Sequence, residues 1–143
     1  MTNPTPDATM NAEAAAAVVD RARFDRDGLL PAIVQQHDSR EVLMLGYMNA
    51  EALRRTLTEG RVTYWSRSRQ EFWRKGDTSG NTQHLRAAEL DCDGDTLLLQ
   101  VEQHGPACHT GTRRCFDVDA FLPLPLPLPV PLPLPNESSE AAP

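Results

Sequence analysis

The sequence predicts a β-rich α+β domain. Three observations carry this. Between residues 29 and 101, six short segments rich in apolar, β-branched or aromatic residues recur, each bounded by turn residues. Residues 50–59, between the second and third of these segments, carry a helical apolar stripe with helix signals at both ends. An Ala-rich stretch that suits a short helix precedes all of them.

Taken in order, residues 1–12 are polar and contain proline, and are expected to be disordered. Residues 12–24 read as a short helix ending near Phe24. Asp27-Gly28 is a turn signal that opens the body. Leu29 to Gln36 and Val42 to Met48 read as strands, and the polar His37-Asp38-Ser39-Arg40 between them is of hairpin length. Asn49 suits an N-cap, Glu51 the first helical turn, and Gly60 the C-terminal stop. Ala52, Leu53 and Leu57 form the apolar stripe of this central helix. Val62 to Ser66, Glu71 to Arg74, Leu85 to Leu90 and Thr96 to Val101 complete a count of six or seven strands.

From Pro123 to Pro135 every second residue is proline, mostly alternating with Leu. This removes half the backbone donors and excludes helix and central strand, leaving polyproline II as the natural conformer. The tail reads either as a partner-binding spacer or as a low-complexity extension with no part in the chemistry. The expected organisation is an N-terminal extension over 1–23, one domain over 24–121, and a Leu-Pro-rich and polar tail over 122–143.

Composition narrows the function classes. The 14 basic and 20 acidic residues give a net charge of −6, which argues against bulk nucleic-acid binding. No apolar run reaches the roughly 18 residues of a membrane span, and the N-terminus shows no secretory pattern. Three cysteines, an odd number and all clustered, do not suggest a disulfide framework. The expectation is a soluble, cytoplasmic protein in which clustered cysteines mean metal or catalysis.

The densest chemistry lies between residues 91 and 115. Asp91-Cys92-Asp93-Gly94-Asp95 is followed by an apolar run and by Gly105-Pro106-Ala107-Cys108-His109-Thr110-Gly111-Thr112-Arg113-Arg114-Cys115. Soft thiolates and hard carboxylates select different metals. The aspartates resemble half an EF-hand loop, with Glu102 at the twelfth position. That reading fails because Thr96 stands where glycine is needed and a strand-like run follows. A hairpin tip at Asp93-Gly94 fits better, and spacing alone leaves a solvated acidic turn and a hard-metal site equally open. Three thiolates suit a zinc site whose fourth position is open to water, as in catalytic zinc centres. A closed structural site with His104 or His109 as fourth ligand, or three buried apolar cysteines, are the alternatives. Strand alternation would turn Asp91 and Asp93 to one face and Cys92 to the other.

Upstream, six basic residues (Arg61, Arg67, Arg69, Arg74, Lys75 and Arg86) face two acidic ones (Glu71 and Asp77) between residues 61 and 86. Guanidinium forks with Gly/Ser backbone donors suit phosphate; the plainer alternative is an exposed strand pair with a Gly-rich loop.

These motifs together resemble the phosphoribosyl-AMP cyclohydrolase family. The resemblance runs from about Phe24 to Phe121. It is carried by Asp27-Gly28-Leu29-Leu30-Pro31, Met44-Leu45-Gly46-Tyr47-Met48-Asn49, Tyr64-Trp65-Ser66-Arg67-Ser68-Arg69, Trp73-Arg74-Lys75-Gly76-Asp77-Thr78-Ser79-Gly80-Asn81-Thr82-Gln83, and the cysteine-aspartate stretch. It implies a compact β-rich pseudobarrel with helices. It implies hydrolysis of the N1–C6 bond in the adenine ring of 1-(5-phosphoribosyl)-AMP, in L-histidine biosynthesis, by a zinc-activated water. It implies Zn2+ at Cys92, Cys108 and Cys115, Mg2+ at Asp91, Asp93 and Asp95, and a homodimer whose zinc ligands come from both subunits. A pyrophosphohydrolase domain, present in some relatives, is expected to be absent because the Leu-Pro tail stands in its place.

Within that activity His109 is the candidate general acid or base, because its unperturbed pKa of about 6.5 suits proton transfer; a role in loop packing is the plainer alternative. Arg67, Arg69, Lys75, Ser79, Gly80 and Asn81 are the candidate phosphate-binding residues. No H-x-E…P-C-x-x-C pattern of the zinc deaminases is present. The contrasting class is a zinc-stabilised module that binds nucleic acid through its Arg/Trp segment, without turnover.

Overall fold

The computed structural model describes residues 6–122. Six strands and two α-helices follow one another as α1 (Ala12–Arg21), β1 (Leu30–Gln36), β2 (Val42–Met48), α2 (Ala50–Glu59), β3 (Thr63–Ser66), β4 (Glu71–Arg74), β5 (Gln83–Leu90) and β6 (Leu97–Gln103). A single 3-10 turn, Cys115–Asp117, follows. The α+β, strand-rich class is the one the sequence predicts. The main sheet has order β2-β1-β6-β5, and β3 pairs only with β4. Among the described residues the two sheets stay open, so no closed barrel forms. The Leu-Pro stretch from Pro123 onward lies outside the described residues.

Each element has a local cause. Asn11 and Asn49 both sit in extended backbone, and their side chains accept from Ala14 N and Ala52 N, each at 2.8 Å. Gly60 ends α2 with φ of 77°, the left-handed stop that a side chain would strain. One face of α2 buries Ala52, Leu53, Thr56 and Leu57. Thr56 does more than pack. Its Oγ1 donates to Ala52 O at 2.9 Å and accepts from Thr63 N at 3.0 Å, joining α2 to the start of β3.

β1 and β6 bury every second residue, the alternation of strands with one core face. Leu30, Ala32 and Val34 therefore meet Leu97, Leu99 and Val101, with Leu43, Met48, Leu53, Leu57 and Val62 closing the same cluster. Each large aliphatic side chain buried this way contributes roughly 1.5–3 kcal/mol. β1 pairs with β2 antiparallel and with β6 parallel, and β5 with β6 antiparallel.

Two sequence expectations need correction. The first helix ends at Arg21, three residues before Phe24, because Ala22 turns extended and Arg23 N donates to Gly94 O at 2.7 Å. The segment 7–10 is not disordered. Ala8 N donates to Leu85 O at 2.8 Å, Met10 N donates to Leu57 O at 2.9 Å, and the Asp7 carboxylate meets His84 Nδ1 at 3.0 Å and Arg86 at 3.3 Å. These bonds lie between residues far apart in sequence, so local composition carries no trace of them.

Candidate active site

A cavity of about 600 Å3 opens between β4 with its following loop and the segment after β6. Its lining joins Arg69, Trp73, Lys75, Ser79 and Asn81 to Cys108, His109 and Cys115. The basic segment and the C-terminal half of the cysteine stretch therefore share one space, although some 30 residues separate them.

The sulfur side is shaped by a tight turn. Ala107 N donates to Arg113 O, Cys108 N to Thr112 O and Gly111 N to Cys108 O, at 3.0, 3.2 and 3.0 Å. This folds the chain back so that Cys115 reaches Cys108. Cys108 is buried, and its Sγ lies 3.0 Å from Thr110 Oγ1. That hydroxyl, with the Thr110 backbone and Thr112, holds the Cys108 thiol down at about 7. Cys115 is exposed as a residue, yet desolvation at its sulfur, then the charge of Cys108, pushes its thiol up. Cys108 thus ionises first. An adjacent pair of soft sulfur donors, one of them a thiolate near neutral pH, fits zinc.

Lys75 is only 5% exposed. Its Nζ donates to Asn81 O at 3.3 Å. Burial lowers its pKa, and the nearby Cys115 and Cys108 oppose that shift. A half-exposed Trp73 stands beside it, 5.3 Å from the Tyr64 ring. Arg69 and Ser79 reach the cavity with Asn81, whereas Arg67 lies over the Tyr47 ring at 4.0 Å, away from that lining. Gly80 stands between Ser79 and Asn81 with φ of 83°. His109 is exposed at the cavity wall.

Cys92 is elsewhere. It is exposed in the turn joining β5 to β6. Gln83 pairs with Gln103 at the cavity end of this hairpin and Leu90 with Leu97 at the far end. Seven strand steps separate the ends, roughly 20 Å at about 3.3 Å per residue. The three thiolates of one chain do not converge.

The carboxylates do converge. One oxygen from each of Asp91, Asp93 and Asp95 lies within 4.8 Å of the others, all exposed. The reason is a turn, not the strand alternation the sequence suggested. Residues 91–96 leave the ladder, so Asp91 and Cys92 do not face opposite ways on a strand. Asp91 Oδ1 accepts from Asp95 N at 3.0 Å and Thr96 N at 3.2 Å. For Asp91, desolvation is outweighed by these backbone donors, and the carboxyl titrates low. Asp95 is pushed up by sharing with Asp93, then by desolvation and the charges of both neighbours. Three crowded carboxylates, met only by backbone N–H groups and the Thr96 hydroxyl, suit a hard cation. Glu102 is not part of this loop; it meets Arg86 at 2.5 Å and His104 at 2.8 Å on β6.

Sequence reading missed the groups beneath the cavity. Tyr64 OH donates to Gln83 Oε1 at 2.6 Å, Gln83 Nε2 to Gln103 Oε1 at 2.7 Å, and Gln103 N to Gln36 Oε1 at 3.1 Å. Burial keeps the Tyr64 phenol protonated. The signal was present: Gln103 continues the inward set Leu97, Leu99, Val101, and Gln83 precedes Leu85 on the same face of β5.

Comparison with known proteins bears on these residues directly. The family model described as phosphoribosyl-AMP cyclohydrolase matches residues 44–117, more than half of the chain and all of the cavity lining. A phosphoribosyl-AMP cyclohydrolase of Clavibacter michiganensis subsp. michiganensis is 71% identical over 107 residues, covering 75% of this chain and 81% of that one. The Streptomyces griseus protein of that name is 62% identical over 121 residues, 84% of this chain and 96% of its own length. That of Bifidobacterium adolescentis is 56% identical over 124 residues, covering 87% and 90%. Carrying this match through β2 to the 3-10 turn, the chain belongs to the phosphoribosyl-AMP cyclohydrolase family of enzymes.

Proposed function

We propose that this chain opens the adenine ring of 1-(5-phosphoribosyl)-AMP at N1–C6, giving the phosphoribosylformimino-AICAR-phosphate product in L-histidine biosynthesis, in the cytoplasm. Among the described residues no helix is long and apolar enough to cross a membrane. The observation that carries the reading is the shared cavity, where the Cys108–Cys115 pair and His109 face a wall bearing Arg69, Ser79 and Asn81.

Cys108 and Cys115 of one chain, with Cys92 from a second copy, would hold zinc, which supplies the Lewis acidity that brings the pKa of water to about 7. The distance between Cys92 and the pair supports a homodimer as the functional unit. Asp91, Asp93 and Asp95 would hold magnesium, which neutralises their mutual repulsion.

Arg69, with Ser79 and Asn81 and the Gly80 backbone between them, grips substrate phosphate. Arg67, set apart over Tyr47, fits the second phosphate end of the same substrate. Trp73 offers a flat face to the purine. His109 takes a proton from the attacking water as its oxygen bonds C6, and returns it to N1 as the N1–C6 bond breaks. The proton left on the C6 hydroxyl passes to the exocyclic nitrogen, so C6 becomes a carboxamide carbon, N1 an amidine nitrogen, and both protons of the water are placed. Lys75 places a fixed positive charge beside the sulfurs rather than reaching outward for phosphate.

Ultraviolet absorbance follows the reaction as the purine opens. No change on incubating phosphoribosyl-AMP with the protein, zinc and magnesium would sink this reading.

A further inference from the structure

The cavity has two walls from distant parts of the chain. Loop 75–82 follows β4, and segment 104–115 follows β6. β4 lines part of the cavity, and the backbone joins the two walls once, where His104 N donates to Thr82 O at 2.9 Å; beyond that bond, side chains brace loop against segment. Gln103, the last residue of β6, is 7% exposed and does not itself line the cavity. Its Nε2 donates to Asn81 O at 3.4 Å in the first wall and to His104 O at 3.1 Å in the second. Its Oε1 accepts from Gln83 Nε2 at 2.7 Å, and its backbone N–H donates to Gln36 Oε1 at 3.1 Å. Every donor and acceptor of the carboxamide faces a named partner.

The same point is braced from both walls. Lys75 Nζ donates to the Asn81 carbonyl that Gln103 uses. At Gly105 a Cβ would overlap the Asn81 carboxamide, and at Gly76 it would overlap the backbone of Asn81 and Thr82. The Asn81 side chain therefore packs directly on the Gly105 backbone across the walls, while Gly76 lets loop 75–82 close tightly on itself. A leucine at 103 would fill similar space but leave Asn81 O, His104 O and Gln83 Nε2 without this partner.

We propose that Gln103 is a positioning residue for the ring-opening reaction: its carboxamide sets the separation of the wall carrying Ser79 and Asn81 from the wall carrying Cys108 and His109. The inference rests on the activity proposed above. Each wall keeps its own groups when the tie is lost, so the effect falls on kcat rather than KM. A displacement of about 1 Å in such a site costs on the order of 10²-fold.

The test compares the full chain, loaded with zinc and magnesium, with Gln103→Leu and Gln103→Glu, each assayed on phosphoribosyl-AMP well below its own thermal transition. At about pH 8 both variants should lose on the order of 10²-fold in kcat, with KM within about threefold of wild type. Gln103→Glu carries the diagnostic. Its carboxylate accepts from Gln83 but cannot donate to Asn81 or His104, and once protonated it regains a donor. Burial raises such a carboxyl toward the assay range, and the Lys75 ammonium on the same Asn81 carbonyl opposes part of that rise. Its kcat relative to wild type should therefore recover as pH falls toward about 6, while the Gln103→Leu ratio stays flat. A merely structural role would lower Tm and leave the kcat of the folded enzyme unchanged. A kcat within about twofold of wild type in either folded variant, or a rise in KM alone, overturns the proposal. If Gln103→Leu does not fold, a flat pH ratio in Gln103→Glu overturns it. Wild-type protein without turnover sinks the activity and this inference together, whereas active wild type with unaffected variants sinks this inference alone.

Discussion

The two ends of the β5–β6 hairpin carry opposite kinds of polar cluster. At the cavity end, Cys108 is buried, hydrogen-bonded by Thr110, and already acidic for a thiol. At the far end, three exposed carboxylates crowd one another, and sharing with Asp93 pushes Asp95 up. The first cluster is shaped by its surroundings but lacks a third sulfur. The second has three carboxylate oxygens already within 4.8 Å of one another but little around them. In the reading proposed above, the first cluster takes its third sulfur from a partner chain and the second takes only an ion.

The largest expected effect tests the incompleteness. Cys92→Ala and Cys108→Ala should each lose more than about 10³-fold in turnover, with zinc content falling in parallel and circular dichroism unchanged. Mixing the two inactive variants under conditions that exchange subunits should restore part of the activity. A mixed dimer has one site with Cys92 from one chain and the intact pair from the other. No recovery on mixing, despite demonstrated exchange, would break the two-chain assignment.

The far end is tested by ion binding. Thermal unfolding of wild type should shift upward with added magnesium, and Asp93→Asn should abolish that shift while leaving metal-free Tm equal or higher. A metal-free Tm that drops in Asp93→Asn would mean the three carboxylates stabilise the turn unaided.

Below the cavity, Tyr64→Phe removes the hydroxyl on Gln83 Oε1. Chemical denaturation should show a loss of about 1–3 kcal/mol, the cost of an unsatisfied buried acceptor. A loss near zero would show that the amide network re-pairs without Tyr64.

The smallest effect lies on the surface of α2. Arg54, then Arg55, hold the Glu51 carboxyl at about 2, below its ordinary 4.5. The folded state thus binds its proton more weakly than the unfolded chain. Its contribution is full above the ordinary value and is lost as pH falls through about 2. Both partners are substantially exposed, so solvent screening keeps it below about 1 kcal/mol. Glu51→Gln should flatten stability by that amount between these pH values, read from denaturant midpoints. The comparison is with Asp95, whose raised carboxyl has the opposite sign.

Strand and helix positions were legible because they depend on neighbours in sequence. The caps at Asn49 and Gly60, the strand over Leu29 to Gln36 and the hairpin tip at Asp93-Gly94 all follow from short-range rules. Contacts across long separations were not legible. Asp7 on His84 and Arg86, and the extension of β5 and β6 to Gln83 and Gln103, depend on partners that composition does not name. Buried glutamines read as strand ends until their partners are seen.

The sequence by itself determined the α+β class, the order of elements, the clustering of the cysteines and aspartates, and the family resemblance, since residue types and local spacing carry all of these. Only the tertiary structure decided which of those residues meet. It joined Lys75 and Asn81 to Cys108 and Cys115, set Cys92 at the other end of a hairpin, and turned the three aspartates onto one another. Distance in space is set by how the strands pair and how the loops between them are braced, and no single segment encodes it.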